Sequence, residues 1–93
     1  MIFVVSKSIV REDKVAEYKQ QVVKLIEETR KEEGCISYDL CEDMDKPNVL
    51  TFIEKWESKQ HLDLHMKTAH FLEIVPKLRD LRESSELNIY KEI

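Results

Sequence analysis

Ile2, Val4, Ser6, Ser8 and Val10 alternate with Phe3, Val5, Lys7 and Ile9, a period of two that predicts a β-strand over Met1–Val10. Both alternating sets are largely apolar, so both faces of this strand need cover. The period then lengthens. Val15, Tyr18, Val22, Leu25, Ile26 and Thr29 recur at spacings of three and four, which predicts an amphipathic helix over 13–33. Asp13 is its expected N-cap, and Gly34, the only glycine, its expected C′ residue with positive φ. Alternation returns from Cys35 to Cys41, with Ile36, Tyr38 and Leu40 on one side. The polar stretch Glu42–Asn48 carries a Pro-Asn turn signal, and a third strand follows over Val49–Glu57. So short a connection predicts an antiparallel hairpin.

Ser58 is placed to cap a second helical region. Leu62, His65, Met66 and Ala69 run down one face of it, followed by Phe71, Ile74, Val75, Leu78 and Leu81. Thr68 and Pro76 disturb that run. Pro76 has no N–H to donate, so a kink or two short helices are expected. Glu86–Ile93 alternates again and reads as a closing strand. The order is β-α-β-β-α-β, the split βαβ arrangement of an α+β fold, with an antiparallel sheet and both helices on one face. The other face must then be buried against something else. Leu50, Phe52, Glu54 and Trp56 share one side of the third strand and are expected there. In so short a chain the simplest cover is a second copy, a homodimer.

Composition narrows the class. Ninety-three residues make one domain, 1–93, and 42% hydrophobic with 37% charged content suits a globular chain. The net charge of −4 and the lack of a basic cluster argue against a nucleic-acid partner. No apolar run approaches a membrane span, and no signal-like segment opens the chain, so the cytoplasm is the expected compartment. Cys35 and Cys41 on one strand would lie ~20 Å apart, beyond the roughly 7 Å that a disulfide allows. Free thiols are expected. A single glycine excludes phosphate-cradling glycine-rich loops.

Few residues remain to carry chemistry. Glu54 beside Phe52 and Trp56, on a face expected to be buried, must be paired, protonated or functional. Trp56, the only tryptophan, reads as a core or interface residue, or as the wall of an apolar pocket. His61 and His65 stand four apart on a helix, but no third ligand is fixed by spacing, so no metal site is expected. His61, on the first turn, reads as solvated. His65 lies on the apolar stripe with Leu62 and Met66, as a core histidine or a pocket base. His70, before Phe71 at the break in the helical region, fits a capping, packing or pocket role equally.

Phe52-Ile53-Glu54-Lys55-Trp56-Glu57-Ser58, then Leu62-x-x-His65-x-x-Thr68-x-His70-Phe71, resembles the antibiotic-biosynthesis monooxygenase (ABM) domain family. Glu33-Gly34-Cys35-x-x-Tyr38 is similar to that family's E-G-C-x-x-Y. The resemblance implies a ferredoxin-like subunit that pairs sheet to sheet into a dimeric α+β barrel. It also implies a cofactor-independent monooxygenase, in which a small aromatic or quinol-like substrate supplies the electrons and the protein a dry pocket and a base. By that resemblance His65 and Glu54 are the catalytic candidates, with Phe52, Trp56, Met66, His70 and Phe71 around the substrate. The haem-degrading branch has its characteristic asparagine, tryptophan and histidine at positions that fall here on Ser6, His65 and Val75, so the resemblance implies no haem. The broad quinol-monooxygenase-like group is the nearest branch. An isomerase or signal-degrading enzyme acting on a small carbonyl compound, and a non-catalytic ligand-binding dimer, are the alternatives.

Overall fold

A computed structural model describes residues 1–93. Four strands form one antiparallel sheet: β1 (Ile2–Val10), β2 (Cys35–Glu42), β3 (Val49–Trp56) and β4 (Arg82–Lys91), in the order β2-β3-β1-β4. Three helices, α1 (Val15–Thr29), α2 (Lys59–His65) and α3 (Ala69–Arg79), complete a ferredoxin-like α+β fold. The two apolar strands, β1 and β3, occupy the centre, where both faces can be covered. The more polar β2 and β4 take the edges, as expected of strands that meet solvent.

The first helix is shorter than its charge-rich sequence suggests. A 3-10 turn, Glu12–Lys14, precedes it, and the residue before α1 is Lys14, with no side-chain cap, so Asp13 is not the N-cap. Tyr18, Val22, Leu25 and Thr29 form the buried stripe, and the helix stops where that stripe ends. Arg30 then turns toward β2, its Nε donating to the Tyr38 carbonyl at 3.1 Å and its guanidinium pairing with Asp39 at 2.9 Å. Gly34 is therefore not the helix C′ residue. It ends the turn that follows, at φ +85°, and a Cβ there would clash with Cγ, Cδ2 and Cβ of His61. Both the backbone angle and the close approach of α2 require glycine.

The second helical region breaks at Thr68, not at Pro76. Ser58 caps α2 by accepting from the His61 N–H at 3.2 Å, and Thr68 caps α3 by accepting from the Phe71 N–H at 3.3 Å. Pro76 lies inside α3. The carbonyl it leaves without a donor belongs to Leu72, which is 61% exposed, so water can serve in place of the missing N–H. Strand β4 starts at Arg82, four residues before the alternation becomes visible, because pairing with β1 continues to Val10 across a register shift.

Register assigns the faces. Val4 stands opposite Glu54 and Ile89, and Ser6 opposite Phe52 and Leu87, so these residues share one face. That face is the one under the helices. Leu50, Phe52, Glu54 and Trp56 are all buried there, in contrast to their expected place on the bare face. The bare face instead carries Phe3, Val5, Ile9, Ile53 and Tyr90, with Lys7, Lys55 and Glu86 around them. Helices α1 and α3 do not extend over β4, and Leu87 and Ile89 are left 58% and 42% exposed on the helix side. No helix is long and apolar enough to cross a membrane.

Candidate active site

A cavity of about 230 Å³ lies between the helices and the sheet, and its wall reaches the exposed β4 side chains Leu87 and Ile89. This volume lies below the roughly 300–1,000 Å³ usual for a ligand site. Phe52, Glu54, His65, Met66 and Phe71 line its inner part together with Tyr38. Trp56 and His70 do not line it. Trp56 is fully buried behind Glu54 and stacks on His65 with 4.7 Å between ring centroids. The His70 ring lies 6.3 Å from the His65 ring, outside the cavity lining.

His65 is 2% exposed, held between Trp56, Tyr38 and Phe71, whose rings lie 4.7, 5.5 and 5.1 Å away. Its Nδ1 is 2.7 Å from Glu32 Oε2, and His70 Nε2 reaches the same oxygen at 2.7 Å. A carboxylate only accepts, so both nitrogens donate, and a neutral His65 then carries its lone pair on Nε2. That nitrogen makes no hydrogen bond within the protein, and the His65 side chain lines the cavity. Burial, opposed by the Glu32 hydrogen bond and charge, holds the His65 pKa below its ordinary value, so the ring is neutral at pH 7.

Glu54 accepts from Trp56 Nε1 at 3.0 Å through one oxygen. Its other oxygen has no partner and is not sealed off. No cation pairs with it. Burial is the main cause that raises its pKa to about 7; the Trp56 N–H opposes and the Glu32 charge adds. Two proton-exchanging groups thus face one apolar cavity, one neutral imidazole and one carboxyl that titrates near neutrality. Burial pushes the Tyr38 hydroxyl far above its ordinary range, so it is a donor and not a base. Cys35 is pushed up to about 11 by burial and by Glu32 and Glu54, which keeps it protonated. Both cysteines are free.

Glu32 is the residue that sequence reasoning missed. It sits in the run Arg30–Glu33, which reads as a solvated helix end, yet it links two histidines 33 and 38 residues further on. No local pattern signals this; the topology alone brings the turn after α1 against α2 and α3. Glu32, His65 and His70 also form the one group of three side chains whose ligand atoms lie within 4.8 Å of one another. The observed separations of 2.7 Å are those of hydrogen bonds, shorter than the roughly 3.3 Å between ligands of a tetrahedral zinc with 2.0–2.1 Å bonds.

Comparison with known proteins agrees with this architecture. A conserved protein of Methanosarcina mazei Go1 superimposes with a TM-score of 0.97 at 41% identity, over 99% of this chain and 92% of that one. A structure described as an antibiotic biosynthesis monooxygenase gives a TM-score of 0.94 at 26% identity, over 100% and 99%. YcnE of Bacillus subtilis, provisionally named a monooxygenase, is 33% identical over 77% of this chain and 76% of its own length. The uncharacterized protein sll1783 of Synechocystis is 40% identical over 88% of this chain, which spans 56% of that longer protein. The antibiotic biosynthesis monooxygenase profile matches residues 1–77, and the chain belongs to that family, ABM.

Proposed function

We propose that this protein is a monooxygenase that needs no cofactor and oxidises a small aromatic or quinol-like substrate in the cavity. The observation that carries the reading is a neutral His65, fixed by Glu32 with Nε2 unpartnered, lining the same apolar cavity as Glu54. His65 takes the hydroxyl proton of the bound hydroquinone. The oxyanion is electron-rich enough to reduce dioxygen, and the overall change is hydroquinone plus O₂ to hydroxyquinone plus water, so electrons and atoms balance without a further reductant. Glu54, titrating near 7, relays protons to the reduced oxygen. Phe52, Met66 and Phe71 exclude water and hold the ring. The pocket wall favours one- or two-ring substrates, since about 230 Å³ admits little more.

The working unit is proposed to be a homodimer, joined through the bare sheet face, in a compartment that keeps Cys35 and Cys41 reduced. Phe3, Val5, Ile9, Ile53 and Tyr90 present an apolar centre with a charged border there, the pattern of a self-complementary interface. Light scattering is expected to give twice the chain mass, and Ile53→Lys to give the monomer; a wild-type monomer removes this part of the proposal.

Oxygen uptake with a panel of hydroquinones, comparing wild type with His65→Ala, tests the chemistry. Loss of the base is expected to slow uptake roughly 10²–10⁴-fold. No uptake by wild type, or uptake indifferent to the substitution, rejects it. The same acid–base pair also supports a second reading, isomerisation of a small carbonyl compound. Solvent deuterium entering hydroxyketones without oxygen consumption favours that one.

A further inference from the structure

Besides Tyr18 and Tyr38, four titratable side chains line the cavity, and they are segregated. Glu54 and His65 occupy the inner part; Arg79, from the last turn of α3, and Arg82, from the first residue of β4, occupy the outer part. Register gives the separation. Glu54 pairs across from Val4, whereas Arg82 pairs with Val10 and its guanidinium turns back to Ser8, 3.5 Å from the hydroxyl. Four residues of β1 between Val4 and Ser8 amount to roughly 13 Å.

These two guanidiniums lack anionic partners. Lys19, Lys24, Arg30, Lys31 and Lys59 all pair with carboxylates, but neither Arg79 nor Arg82 does. Arg82 is half-buried with only the long Ser8 contact. Ten of the fifteen Lys and Arg side chains have no carboxylate partner, and Arg79 and Arg82 are the two of these ten that line the cavity. Twelve of the eighteen lining residues are hydrophobic, so an anion held at the half-buried Arg82 would be partly shielded from water, with the exposed Arg79 reaching it from the rim.

We propose that Arg82 and Arg79 form an anion subsite, and that the substrate of this enzyme is an aromatic acid whose carboxylate they hold. The proposal rests on the reading of the inner cavity as the place of proton removal, and it adds polarity to that cavity. The carboxylate is drawn outward to the guanidiniums and kept from Glu54 by like charge. The ring hydroxyl is thereby turned inward, toward His65 Nε2. The arginines are positioning residues: they set which end of the ring meets the base and take no proton themselves. Planar, bidentate recognition suits Arg better than Lys.

Calorimetric titration with 2-naphthoate and 2-naphthamide separates the subsite from the chemistry, because these ligands match in shape, differ in charge and are not hydroquinones. Wild type is expected to bind the naphthoate at least about tenfold more tightly, with the preference weakening as salt rises. Arg82→Gln and Arg79→Gln are each expected to reduce that preference and leave 2-naphthamide unaffected, while Arg82→Lys retains part of it. Circular dichroism establishes that each variant is folded, and Arg79→Gln carries the test if Arg82→Gln is not. Equal affinities in wild type, no naphthoate binding, or a preference that survives the folded glutamine variants overturns the proposal. A charge preference in a protein that takes up no oxygen with any hydroquinone leaves the subsite standing and removes the oxygenase reading. Oxygen uptake with neutral hydroquinones but no charge preference does the reverse.

Discussion

Replacing Glu54 by Gln isolates the energetic consequence of a carboxyl enclosed without a cation. In the folded chain burial raises this group from 4.5 to about 7, with the Trp56 N–H acting against the rise. Between those values the folded protein keeps a proton that the unfolded chain has released. Stability therefore falls as pH rises through that window, and the loss is complete above about 7. A displacement of this size corresponds to about 3 kcal/mol, and water reaching the open oxygen brings it toward about 2 kcal/mol. Gln preserves the acceptor for Trp56 Nε1 and the shape of the side chain but never ionises. Glu54→Gln is thus expected to match wild type near pH 4.5 and to exceed it by about 2–3 kcal/mol at pH 8. His65 acts in the opposite sense: its pKa is lowered, so its contribution is present above 6.5 and lost as pH falls. It is common to both proteins and cancels in their difference. Urea unfolding followed by far-ultraviolet circular dichroism, at fixed protein concentration and a series of pH values, provides the measurement. Parallel stability curves for the two proteins would refute the burial argument.

Glu32→Ala leaves two enclosed imidazole N–H groups without their acceptor; a loss of about 1–3 kcal/mol per donor is expected in urea unfolding, with little loss pointing to a replacement partner. Gly34→Ala meets both a positive φ and the His61 ring, and should cost about 2–5 kcal/mol by the same measurement; a cost below 1 kcal/mol means that α2 moves aside. Ser58→Ala and Thr68→Ala each remove a cap and are expected to cost about 1 kcal/mol, read as separate falls in melting temperature.

Much of this fold is legible in the chain because hydrophobic spacing and turn chemistry agree. The alternation in β1 and β3, the three-and-four spacing of Tyr18, Val22, Leu25 and Thr29, and the Ser58 cap each specify one local structure. What stayed hidden needed tertiary information. Alternation divides β3 into two faces but does not say which one the helices cover, because β1 is apolar on both. Pro76 carries a strong local signal to break the helix, overridden where the vacated carbonyl belongs to an exposed turn. Arg82–Ser85 has the composition of a loop and is a strand only because β1 offers it a ladder. Within the site, Glu54 and His65 were visible as a carboxylate and an imidazole on apolar stripes. Glu32 was not, since a carboxylate among five charged neighbours gives no sign that it will be drawn inward.

The position of Trp56 gives the molecule an optical use. Its indole N–H is tied to the carboxyl of Glu54 and its ring overlies the imidazole of His65, so one chromophore touches both groups proposed to move protons. It is also the only indole in the chain, and its emission needs no deconvolution. Charging the imidazole beside it should dim that emission, and ionising the carboxyl at its nitrogen should shift its colour. A single fluorescence titration would then record two protonation events in the intact protein, before any substrate is known.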